Sequence, residues 1–198
     1  MTSPTPDYFE MRRLESLSNT IFGVAMTLLA YDLPRASRFT QAPGWADLYH
    51  VYAGRLISLM LSFIVAGVFW ISHHRRLARQ PDAHRGVVLI NLFFLLSIIL
   101  LPVTTGLEGN YGESSAVAVL YGLHLSTIAG LNSWLWWIAT RGQHPRPEFV
   151  GAFAPLIMLL PGTAVAAVAP EYAQYIWMLA FGALLAHRLV RDQPAEHN

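Results

Sequence analysis

The sequence contains no cysteine and no lysine. Without cysteine there are no disulfides, thiolate metal sites or cysteine nucleophiles, and every basic residue is an arginine. Charge is scarce as a whole: 13% of residues are charged and 54% are hydrophobic, where a soluble domain carries about 25% charge. Aromatic residues are plentiful at 12%, which excludes a disordered polar chain. Thirteen basic residues against twelve acidic ones leave a formal charge of +1, without the basic stripe a nucleic-acid partner requires. Neither H-E-x-x-H nor G-x-S-x-G is present, and no paired acids sit inside the apolar runs, so no enzyme is expected. The TVGYG carbonyl filter is missing too, as is a small-residue cleavage site after the first apolar run.

What is present is a series of uncharged runs, at residues 16–31, 56–74, 86–107, 114–140, 149–170 and 172–187. A membrane-crossing helix needs about 20 largely apolar residues. Four runs meet that length, and the outer two, with 16 residues each, rely on snorkelling flanks. The expectation is an all-α, polytopic membrane protein of six helices. Ten arginines fall in the segments that are cytoplasmic if the N-terminus is inside, and three (Arg35, Arg38 and Arg55) in the others. This asymmetry puts both termini in the cytoplasm. The expected organisation is a cytoplasmic segment at 1–11, a six-helix domain at 12–190 and a cytoplasmic tail at 191–198, in the plasma membrane.

The first helix is unusual. At about 100° per residue, Ser16, Thr20, Gly23 and Thr27 share one stripe, with Asn19 at its edge and Val24, Leu28 and Tyr31 beside it. Such a face suits close helix packing or a water-facing pore, and spacing alone leaves both open. His73 and His74 are adjacent and so diverge on a helix, which suits a solvated end better than a metal. His124, inside the fourth run, reads either as a functional intramembrane group or as an interhelical hydrogen bond. Asp32 reads either as an ion pair with Arg35 or as a source of negative potential. A carrier is the rival from another class, with Pro161-Gly162 as a break in the fifth helix that would bind its substrate.

Several of these stretches resemble the transmembrane protein 175 potassium channels. R-L-E-S-L-S-N at 13–19 is similar to that family's R-x-x-x-F-S-D signature, and I-F-G-V-A-M-T-L-L at 21–29 to its first helix. F-W-I-S-H-H-R at 69–75 resembles the family's F-W-x-x-H-H-R, followed by N-L-F-F-L-L at 91–96, Leu101-Pro102 and Tyr121-Gly122-Leu123. The resemblance implies a homotetramer with helix 1 lining a central pore, potassium as the permeant ion, lipid contacts and no cofactor. It implies a hydrophobic constriction at Val24, Leu28 and Tyr31, a hydroxyl layer at Thr27, and Asp32 as an outer-mouth acid repeated fourfold. It also implies a polar cluster of Arg13, Ser18, Asn19, His73 and His74. Two positions depart from the signature: Leu17 stands for its phenylalanine and Asn19 for its aspartate, removing a charge. The resulting expectation is a potassium-permeable cation channel, with a carrier or a non-conducting scaffold relative as alternatives.

Overall fold

The structure is a computed structural model that describes residues 9–31, 33–77, 82–83, 85–140 and 146–191. Six α-helices make up nearly all of it: α1 (Met11–Leu28), α2 (Trp45–Leu77), α3 (Arg85–Tyr111), α4 (Ser115–Thr140), α5 (Arg146–Ala166) and α6 (Pro170–Arg191). Two short strands, β1 (Phe9–Glu10) and β2 (Asp82–Ala83), pair antiparallel, with Phe9 opposite Ala83 and Glu10 opposite Asp82. That pairing joins the entry to α1 with the α2–α3 connection.

Local chemistry sets the helix ends. Asp47, in the first turn of α2, accepts the Gly44 N–H at 2.8 Å, which supplies the reciprocal half of a capping box. This cap lets α2 begin at Trp45, eleven residues before the uncharged run at 56, through a polar and aromatic stretch that hydropathy does not register. Beyond Leu28, α1 tightens into turns in which Ala30 N–H bonds to Thr27 and Tyr31 N–H to Leu28. Tyr31 is therefore placed by i→i+3 geometry rather than by the α-helical period. Pro170 opens α6 at the first helical position, where its missing N–H costs nothing, instead of closing the helix before it.

Three described segments are long and apolar enough to cross a membrane: Trp45–Arg75, Arg85–Tyr111 and Ser115–Ile138. Ala152–Ala166 is apolar but shorter. The main core is built by α2, α3, α4, α5 and α6 around Phe69, Phe94, Tyr121, Leu159, Trp177 and Phe181, with Phe22 and Ala25 of α1 closing one side. A smaller cluster of Met11, Leu14, Val87, Ile90 and Leu135 holds the start of α1. Close approaches are made through glycine. A Cβ on Gly122 would meet the Trp177 ring at 2.6 Å, and one on Gly162 would collide with the same indole. α5 runs unbroken past Pro161-Gly162, whose small size seats Trp177 and leaves no interrupted helix there.

Candidate functional site

α1 is two-sided. Its buried residues, Met11, Leu14, Ser18, Phe22 and Ala25, recur every three or four positions and make one stripe against α2 and α3. The opposite face is open within the chain. Val24 is 54% exposed, Leu28 44% and Tyr31 72%, and Asn19, Thr20, Gly23 and Thr27 lie on the same side. A Cβ on Gly23 would meet nothing within 4 Å, so among the described residues no backbone approaches there. The small and hydroxyl-bearing stripe is thus not a packing surface among the described residues.

The hydroxyls of that face are oriented by their own helix. Thr27 Oγ1 donates to the Val24 carbonyl at 2.7 Å, and Thr20 Oγ1 to the Ser16 carbonyl at 3.0 Å. Each hydroxyl proton is used within α1, which leaves the oxygen lone pairs to face outward. Apolar Val24 and Leu28 flank them.

On the buried side, Ser18 is the centre of a polar anchor. Its hydroxyl donates to the Leu14 carbonyl at 2.8 Å, so His73 Nε2–H is the donor in the 3.0 Å contact with Ser18 Oγ. Asn91 Nδ2 donates to the same oxygen at 3.4 Å. Ser18 and Asn91 are fully buried, and the His73 ring stacks on Phe94 with centroids 5.1 Å apart. One serine thereby links α1 to both α2 and α3 in an apolar setting where an unmade hydrogen bond is costly.

Two exposed contacts extend the anchor. Trp70 Nε1 donates to Asn19 Oδ1 at 2.9 Å, and Glu15 meets His74 Nδ1 at 2.8 Å. The structure brings Ser18 and His73 together directly, with Asn19 and His74 each held by a separate partner. Arg13 is elsewhere: its guanidinium pairs with Glu10 at 3.0 Å, largely in solvent. Asp32 lies outside the described residues. Trp70 and Asn91 are the contributors that sequence spacing missed. They come from helices distant in the chain, and the only signal was their position inside the quoted motifs.

His124 is interhelical glue. Its Nδ1 lies 2.8 Å from Thr104 Oγ1, and its Nε2 3.1 Å from the Ser97 carbonyl of α3. That carbonyl lies five residues before Pro102 in α3, so the histidine ties α4 to α3 through both ring nitrogens.

Residues 13–102 match the family model described as "Endosomal/lysosomal potassium channel TMEM175". A potassium channel of Streptomyces collinus is 28% identical over 164 residues, which is 78% of each chain. The crystal structure of a lysosomal potassium-selective channel TMEM175 homolog from Chamaesiphon minutus superposes with a TM-score of 0.75 at 19% identity. It covers 92% of this chain and 98% of that one. The chain is thus similar to the TMEM175 family in sequence over residues 13–102 and in fold over 92% of its length. A potassium channel of Chryseobacterium is 24% identical over 119 residues, 59% of each chain. The crystal structure of the potassium channel MtTMEM175 with a nanobody fusion covers 98% of this chain at 13% identity, with a TM-score of 0.55. The TMEM175 match at 13–102 spans α1, α2 and most of α3, the three helices that build the Ser18 anchor.

Proposed function

We propose that this protein is a member of the TMEM175 family and a potassium-permeable cation channel of the plasma membrane that assembles as a homotetramer around a pore lined by α1. The observation that carries the reading is the two-sidedness of α1, whose inner stripe is spent on its own subunit while its outer face stays open. Val24, Leu28 and Tyr31 form the hydrophobic constriction in this reading, and Thr27 the hydroxyl layer. Oxygen lone pairs turned outward suit partial replacement of a cation's water, and apolar rings gate by dewetting. At about 1.5 Å per residue, the 18 residues of α1 span about 27 Å, close to the hydrocarbon thickness of about 30 Å.

The proposal includes six spans, cytoplasmic segments at 1–11 and 191–198, and the channel domain at 12–190. Both related bacterial proteins named as potassium channels support the choice of ion. A carrier finds less support, because α5 is continuous where an interrupted helix would bind substrate.

The test is the reversal potential of purified protein in liposomes under asymmetric potassium and sodium. A potential displaced toward the potassium equilibrium value is expected. Slow, saturable, substrate-coupled uptake would favour a carrier, and the absence of any flux a scaffold.

A further inference from the structure

At the end of the bundle away from Ser18, α3 turns into α4 beside the start of α6, and a cavity of about 550 Å³ opens there. Glu108, Glu113 and Glu171 all line it, together with Tyr111, Gln174 and Tyr175. Glu113 and Glu171 are exposed at its mouth, whereas Glu108 is only 3% exposed and neither of its carboxylate oxygens has a hydrogen-bond partner among the described residues. Burial of an ionised carboxylate without a counter-charge is strongly unfavourable. The guanidinium of Arg55, a residue beside Gly109, is engaged elsewhere: its Nε donates to Asn110 Oδ1 at 3.0 Å and its Nη1 to the Val51 carbonyl. The cavity thus lies against a buried carboxylate that the described residues leave unanswered.

The geometry also limits the ligand. Among the described residues no three acidic or histidine side chains converge closely enough to hold a metal ion. The volume is that of a small-molecule site, within the range of about 300–1,000 Å³, and far above the roughly 30 Å³ occupied by one water. Carboxylates too dispersed for one ion fit several cationic centres spaced along a flexible stem. Tyr111 and Tyr175 add ring faces that attract alkylammonium groups.

We propose that this cavity binds an aliphatic polyamine, one ammonium descending to Glu108 and the others meeting Glu113 and Glu171 at the mouth. The site is independent of the conduction reading, because binding is measured on the protein itself whether or not it passes current.

The experiment is calorimetric titration of the full chain in detergent with spermidine at fixed pH and ionic strength, alongside putrescine and magnesium. Saturable binding of spermidine is expected, tighter than that of putrescine. Glu171→Gln and Glu113→Gln should each weaken it about tenfold, the scale of one lost charge-assisted contact. Glu108→Gln should abolish it. Equal binding of magnesium and spermidine would overturn the proposal in favour of a diffuse acidic surface. So would wild-type spermidine affinity in the folded Glu108→Gln variant. Should that variant fail to fold, the two exposed variants decide, and unchanged affinity in both overturns the site.

Discussion

Side chains on the two faces of α1 answer to different measurements. Leu28 lies on the open face and belongs to neither core cluster among the described residues. Leu28→Asn is expected to leave unfolding in detergent close to wild type and to raise single-channel conductance, because a polar ring wets a dry constriction. Ser18→Ala is expected to do the reverse. It strips His73 and Asn91 of a shared acceptor in a buried setting and should cost about 1–3 kcal/mol of stability, read as a lower unfolding temperature. Asn19→Asp keeps the acceptor for Trp70 Nε1 and makes the bond charge-assisted, roughly doubling its strength. The expected result is a modest rise in thermal stability that disappears when Trp70 is also replaced by Phe. Arg13 contributes nothing to that difference, because it is paired with Glu10 instead.

Glycines separate helix packing from helix lining at the scale of the element. Gly162 gives Trp177 its seat between α5 and α6, and a methyl group there would enter the indole. Gly162→Ala should destabilise the fold by about 1–3 kcal/mol through overpacking. Gly23→Ala should not, since open space surrounds that position within the subunit and alanine favours the helix by up to about 1 kcal/mol. In a fourfold pore the added methyl groups narrow the lumen, so altered conductance with unchanged or raised stability is the expected pair of results. The sequence made such elements legible because uncharged runs mark apolar helices. It misjudged their ends where the deciding chemistry was local and polar, as with the Asp47 cap of α2. The stripe of α1 was legible as a face, yet its partners Asn91 and Trp70 were not, because no periodicity within one helix reports what another brings against it. Glu108 stands just past the uncharged run at 86–107, yet α3 continues beyond it to Tyr111 and carries the carboxylate into the packed end of the bundle.

For the molecule as a whole, the arginine asymmetry predicts that tags before Met1 and after Asn198 are reached only from the cytoplasm, and a tag at Gly109 only from outside. Termini found on opposite sides would reject the six-span map. The apolar exterior of α3, including Leu92, Phe93, Leu96 and Val103, is the surface expected of a helix solvated by lipid tails.

The strand pair at the base of α1 has a mechanical consequence. β1 runs directly into α1 and is bonded to β2, while near the other end of α1 Tyr52 Oη donates to the Pro34 carbonyl at 2.8 Å. α1 is thus a stave pegged at both ends with a serine rivet between them. Turning it about its own axis would shear the β1–β2 pair and draw Ser18 away from His73 in the same motion. The least costly displacement is one in which α1, α2 and α3 tilt as a single wedge, carrying Leu28 with them.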